Sequence, residues 1–176
     1  MKLKLLFLLV TLIPVLSFSQ AHISSKEYVT PTDPLVLQNL EDWQDLKFGL
    51  FIHWGIYSQW GVIESWNLCP EDESFIYRDS VHGKTYFEYL QNYKNLQKTF
   101  NPTQFNPKKW ANAAKNAGMK YVVFTTKHHD GFAMFNSKVS DYNIVKQTPF
   151  KRDILKELTE ECKKQGIKVG IYYSQD

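Results

Sequence analysis

Three histidines carry the chemistry that can be read from this chain of 176 residues. His53 closes the apolar run Phe48-Gly-Leu-Phe-Ile-His-Trp54, and His128 with His129 follows the run Lys120-Tyr-Val-Val-Phe-Thr-Thr126. Asp130 comes next, and a third run, Ile167-Lys-Val-Gly-Ile-Tyr-Tyr173, ends in Tyr172 and Tyr173 shortly before Asp176. A single histidine at a strand end is ordinarily structural, but three at the same end of successive strands define a site. A neutral imidazole offers one donor and one acceptor, which matches a hydroxyl that also has both. Tyrosine and tryptophan in the same loops add flat apolar faces, and the combination describes a carbohydrate subsite. Metal ligation is the competing chemistry, since histidine is the commonest metal ligand. Consecutive residues of an extended chain point to opposite sides, so His128 and His129 do not grip one ion together. His-X-His spacing and a helical His-Glu-x-x-His are absent from the sequence, and no metal is expected.

The elements that must position these residues follow from periodicity. Leu37, Leu40, Trp43 and Leu46 predict a short amphipathic helix, and the apolar run that begins at Phe48 predicts a strand buried on both faces. A long aromatic connection follows to about Phe105, with a helix expected near Tyr86 to Phe100. Asn106 and Pro107 supply an N-cap and a first-turn proline, Trp110, Ala113 and Ala114 repeat at helical spacing, and Gly118 stops that helix. A further helix is expected from Lys151 to Lys164 with Gly166 as its stop, between a loop running to about Pro149 and the third strand. The order is βαβαβ, which requires a parallel sheet. No GxGxxG follows the first strand, which removes a Rossmann phosphate turn. Long βα loops, short αβ loops and polar residues at the strand C-termini predict an α/β fold, a partial (β/α)8 TIM-like barrel of about three strand-helix units.

The first residues constrain location. Lys2 and Lys4 precede an uncharged stretch from Leu5 to Val15, and Ser17, Ser19 and Ala21 supply small residues for cleavage. Residues 1–19 therefore read as a signal peptide, 20–36 as a lead-in segment and 37–176 as the catalytic barrel portion. The apolar stretch is too short to span a bilayer, so an exported, periplasmic or secreted protein without a stable membrane anchor is expected. Without residues 1–19 the formal charge falls from +3 to +1, which gives no footprint for nucleic acid. Cys69 and Cys162 are the two cysteines. Export permits a disulfide, but Cys162 shares an apolar helix face with Leu155 and Leu158 and reads as a buried thiol. Nothing in the pattern specifies an oligomeric state.

Four segments in order, Phe48-Gly-Leu-Phe-Ile-His-Trp-Gly55, Thr125-Thr-Lys-His-His-Asp-Gly-Phe132, Lys151-Arg-Asp153 and Gly170-Ile-Tyr-Tyr-Ser174, resemble successive motifs of glycoside hydrolase family 29 α-L-fucosidases. The resemblance covers roughly residues 48–176. It implies that His53, His128, His129 and Tyr172 contact a fucose ring, and that the substrate is a fucosylated oligosaccharide or glycoconjugate. The family's Glu-Trp-Tyr in the first long loop corresponds to Glu64-Ser65-Trp66 here, which adds Glu64 and Trp66 to the substrate-binding set, the tryptophan standing one place later. Lys151-Arg152-Asp153 is expected to serve the start of its helix. Retaining hydrolysis needs two carboxyl groups about 5–5.5 Å apart, and the resemblance places the nucleophile after a fourth strand and the acid/base further on, both beyond Asp176. A barrel of this kind takes about 200 residues or more, so the chain is expected to be an N-terminal portion, inactive by itself. The alternatives are an inert truncated product, a non-catalytic sugar-binding remnant, or a barrel glycosidase for another sugar such as galactose. No cofactor is implied.

Overall fold

The computed structural model describes residues 29–70 and 76–175. The expected signal peptide, most of the lead-in segment and Asp176 lie outside the described residues. Helix α1 spans Pro34–Asp45, where the Asp33 carboxylate accepts from the Leu35 and Val36 amides and proline fills the first turn. These two signals start the helix ahead of Leu37, its expected first residue. Strand β1, Gly49–Ile52, follows. After the first long loop comes α2, Tyr86–Asn95, closed at its start by a capping box between Thr85 and Glu88. The chain then tightens into a 3-10 turn at Leu96–Lys98, so the expected helix to Phe100 is an α segment with a separate final turn.

Helix α3, Pro107–Asn116, is capped by the Asn106 side chain as expected. Gly118 leaves it at φ +80°, a left-handed conformation that suits glycine. Strand β2, Tyr121–Lys127, leads into the second long loop. That loop holds a one-turn helix, α4 at Ile144–Gln147, whose start is fixed by the Asn143 side chain. Helix α5, Ile154–Lys164, and strand β3, Lys168–Tyr173, complete the described elements. The Asp153 side chain accepts from the Lys156 amide and the Asn136 amide, each at 2.9 Å, so it caps α5 and ties the preceding loop to it.

The three strands form a parallel sheet in the order β1-β2-β3. Leu50, Ile52, Val122, Phe124 and Val169 face a core completed by Ala111 and Ala114 of α3 and by Ile154, Leu158 and Cys162 of α5. Both crossover helices thus pack on one side. The opposite side carries Phe51, Val123 and Gly170 in register. It is covered at its N-terminal end where Trp43 of α1 meets Tyr121, with ring centroids 6.2 Å apart. Here the sequence expectation needs correction, because β1 is not buried on both faces: Phe51 is 53 % exposed. Among the described residues no second layer covers it, and Ile171 and Tyr173 on β3 are likewise exposed. No described helix is long and apolar enough to cross a membrane.

The core stops at the C-terminal ends of the strands, where polar side chains take over. Thr125 pairs with Tyr172, but the next matched pair is Lys127 with Tyr173, so β2 carries one extra residue. Such a bulge bends a strand and redirects the side chains after it. The Thr126 hydroxyl fastens the bulge by donating to the Tyr172 carbonyl at 2.9 Å. His128 and His129 emerge directly beyond it.

Candidate functional site

His53 is held by the end of β1. The Trp54 amide donates to the Thr125 hydroxyl oxygen at 2.9 Å, and that hydroxyl lies 3.2 Å from the carbonyls of Ile52 and Trp54. The Trp54 ring is wedged among Phe100, Phe105 and Trp110, with centroids 5.1–5.9 Å away. This fixes the backbone while leaving the His53 ring open to solvent.

Glu64 arrives from the long loop after β1 with φ +50°. A non-glycine residue pays a local cost of about 1–2 kcal/mol in that region, and such strain collects at functional sites. The strained turn puts the carboxylate between two imidazoles. Its Oε1 lies 3.3 Å from His53 Nε2, and its Oε2 lies 2.9 Å from His128 Nε2. The Trp66 indole N–H also donates to Oε2 at 2.9 Å.

His128 is buried, and its second nitrogen faces Ser65. The Ser65 hydroxyl lies 2.5 Å from His128 Nδ1 and accepts the Asp130 amide at 3.1 Å. The Glu64 carboxylate only accepts, so a neutral ring carries its proton on Nε2, aimed at Glu64, and the Ser65 hydroxyl donates to Nδ1. Burial is the main reason that the His128 pKa falls to about 4; Glu64 opposes the shift, and the neighbouring histidines reinforce it. The ring is therefore neutral at pH 7.

The remaining groups close around this pair. Tyr172 stacks on His128 with centroids 5.7 Å apart and planes 21° apart, and it also lies 5.7 Å from His53. His129 turns away from His128, the two ring planes standing at 84°, and its Nδ1 lies 2.6 Å from the buried Ser174 hydroxyl. Trp66 meets His129 at a centroid distance of 4.5 Å. A cavity of about 300 Å³ opens beside them, lined by Ser65, Trp66, Leu68, Cys69 and His129.

All six residues expected from the sequence, His53, Glu64, Trp66, His128, His129 and Tyr172, thus come together in one place. The later position of Trp66 does not remove it, because a 3-10 turn at Trp66–Leu68 swings the indole back onto Glu64. His128 and His129 diverge, their ring planes at 84°. The ligating atoms that converge belong to His53, Glu64 and His128, all within 4.8 Å of one another.

Ser65 and Ser174, which orient the two adjacent histidines, were not singled out from the sequence. Asp130 supports the site from below: its carboxylate accepts from the Tyr93 hydroxyl at 2.6 Å and from the Phe132 amide at 3.0 Å. Burial raises its pKa, against the bonds from Tyr93 and Phe132. Glu64 is consequently the one carboxylate presented to the ring cluster among the described residues. Arg152 pairs with Glu157 and lies over the Phe150 ring, so it serves α5, as expected of the Lys151-Arg152-Asp153 segment. Both cysteines are free thiols, with Cys162 fully buried.

The chain has relatives among known proteins. The family model described as alpha-L-fucosidase matches residues 15–176. The tissue α-L-fucosidase of Bos taurus is 34 % identical over 163 residues, covering 87 % of this chain and 33 % of the relative. The plasma α-L-fucosidase of Homo sapiens is 32 % identical over 164 residues, covering 88 % and 33 %. The chain therefore spans about a third of the length of these curated relatives. Among solved structures, α-L-fucosidase AlfC from Lactobacillus casei in complex with its α-L-fucose product superposes with a TM-score of 0.60 at 42 % identity, over 79 % of this chain and 41 % of that one. Isoenzyme 1 from Paenibacillus thiaminolyticus gives 0.62 at 37 % identity, over 78 % and 28 %. The family model runs through all three strands and the loops bearing the histidines, and the chain belongs to the α-L-fucosidase family.

Proposed function

We propose that this chain supplies the sugar-holding half of an exported retaining α-L-fucosidase that removes terminal α-L-fucosyl groups from glycans or glycoconjugates. The observation that carries this reading is the convergence of His53, Glu64, His128, His129 and Tyr172 on one rim of the sheet. Each polar group there suits a sugar hydroxyl. The Glu64 carboxylate accepts, the half-exposed His53 imidazole offers a donor or acceptor, His128 orients Glu64 from beneath, and the Tyr172 and Trp66 rings give apolar contact to a deoxy face. Glu64 is charged, so its bond to a sugar hydroxyl is among the stronger kind.

The three parallel strands with crossover helices on one side are the first units of a (β/α)8 barrel, and the site sits at the strand C-termini where barrel active sites are built. Double displacement needs a nucleophile and an acid/base. We assign neither to Glu64, which is engaged by three N–H groups, nor to Asp130, which is turned toward Tyr93. The family resemblance puts both catalytic carboxyls beyond Asp176, and on this reading the residues described above bind and orient the ring. Export follows from the basic, apolar and small-residue order of the first 19 residues.

The test is release of 4-nitrophenol from 4-nitrophenyl α-L-fucopyranoside by the polypeptide carrying these residues at the length of its relatives. Turnover of the fucoside supports the assignment. No turnover, or preference for a galactoside, overturns it.

A further inference from the structure

The atoms that face the sugar also satisfy the requirements of a transition-metal site. Divalent zinc bound at about 2.0–2.1 Å in a tetrahedron holds its ligand atoms roughly 3.3 Å apart. Glu64 Oε1 is 3.3 Å from His53 Nε2, and Oε2 is 2.9 Å from His128 Nε2. No separation among the three ligand groups exceeds 4.8 Å. The three residues come from separate segments: the end of β1, the loop after it and the end of β2. The His53 ring rests between Phe51 and Tyr172, with its Nε2 toward Glu64.

The surroundings hold the ligands as metal sites require. Ligating histidines are generally oriented by a partner on the other ring nitrogen, and ligating carboxylates are themselves hydrogen-bonded. Ser65 engages His128 Nδ1 at 2.5 Å, and the Trp66 indole engages Glu64 at 2.9 Å. Two imidazoles and one carboxylate with a fourth corner open to solvent form the ligand set of catalytic zinc sites. That set favours zinc, cobalt, nickel or copper over magnesium or calcium, which prefer oxygen alone.

We infer that His53, Glu64 and His128 form a three-ligand site for zinc-like divalent ions, and that such an ion and a sugar exclude one another because they use the same atoms. Binding balances without an outside reactant. The His128 proton moves from Nε2 to Nδ1, the Nε2 lone pair passes to the metal, and the Ser65 hydroxyl turns from donor to acceptor. His53 undergoes the same change of tautomer. The site itself does not depend on the fucosidase reading; only the identity of the competing sugar rests on it.

Calorimetric titration of zinc chloride into protein purified without a histidine tag tests this, alongside visible spectra of the cobalt form. The inference predicts one zinc per chain, the d–d bands of four-coordinate cobalt, and no saturable magnesium binding. Glu64→Gln and His53→Ala should each weaken zinc by at least about tenfold, and Ser65→Ala by roughly tenfold through the lost partner of His128. Circular dichroism confirms that each variant is folded, and His53, being exposed, is the change least able to disturb the fold.

Absence of zinc binding overturns the inference. So does zinc binding that both His53→Ala and Glu64→Gln leave intact, which would place the ion elsewhere. L-fucose separates the two readings. At zinc ten times its Kd, the apparent Kd of a competing sugar rises about elevenfold. Zinc binding that depends on Glu64 and is indifferent to fucose upholds the metal site and counts against fucose at these atoms.

Discussion

Ser65 places its hydroxyl 2.5 Å from Nδ1 of His128 while accepting the Asp130 amide at 3.1 Å. Glu64 fixes the proton of the buried histidine on Nε2, and the serine satisfies and orients the other nitrogen. Replacing Ser65 with alanine leaves Nδ1 and the Asp130 amide unpaired in a buried place, at a cost of about 1–3 kcal/mol. Urea unfolding should show that loss, and nitrogen-15 spectra of the His128 ring should keep the Nε2–H form while the Nδ1 resonance shifts with the loss of its hydrogen bond. An unchanged Nδ1 resonance in the alanine variant would contradict the assigned role.

His128 should stay neutral well below the usual range for histidine. Its folded pKa of about 4 lies beneath the unfolded value of about 6.5, so the unfolded state takes up its proton first as pH falls. The neutral ring's contribution is intact above pH 6.5 and is lost as pH drops toward 4, by on the order of 3 kcal/mol at the lower end. Proton NMR titration of the His128 Cε1–H reads the midpoint directly. Burial is the leading cause and Glu64 opposes it, so Glu64→Gln should lower the midpoint further. A rise in that variant would mean that Glu64 does not oppose the shift.

Tyr93→Phe removes the hydroxyl that donates to Asp130 at 2.6 Å. The carboxylate keeps the Phe132 amide but loses its strongest partner, which should destabilise the fold by about 1–3 kcal/mol at pH 7. Asp130 already has a raised pKa, and loss of this bond should raise it again. A raised carboxyl favours folding most below the unfolded value of about 3.9, and that advantage is lost as pH climbs through the folded value. The cost of Tyr93→Phe should accordingly be smaller at pH 4 than at pH 7, as denaturation at the two values would show. Equal costs would indicate that packing alone is disturbed.

The rim of histidines was legible because residue type and strand-end position are both local features. His53, His128 and His129 follow apolar runs, and a parallel sheet carries every such end to one side. Glu64 and Trp66 were legible only through family resemblance, since a 3-10 turn and a left-handed residue leave no periodic trace. Ser65 and Ser174 were silent for a different reason. Each meets its histidine across 63 or 45 residues, and a lone serine has no pattern that announces such a partner. Helix α4 is one turn long, too short for amphipathic spacing to emerge. The exposure of Phe51 was misjudged because an apolar run reports what a strand is built to bury, while burial itself depends on what lies opposite.

On the proposed function, Glu64, held by two histidines, grips a fucose hydroxyl. Calorimetric titration of L-fucose into the polypeptide at the length of its relatives, native and Glu64→Gln, tests it most directly. Loss of a hydrogen bond to a charged group, about 1.5–3 kcal/mol, predicts fucose affinity lowered by roughly 10–150-fold with the fold unchanged. Equal affinity for the two proteins would contradict the site described here.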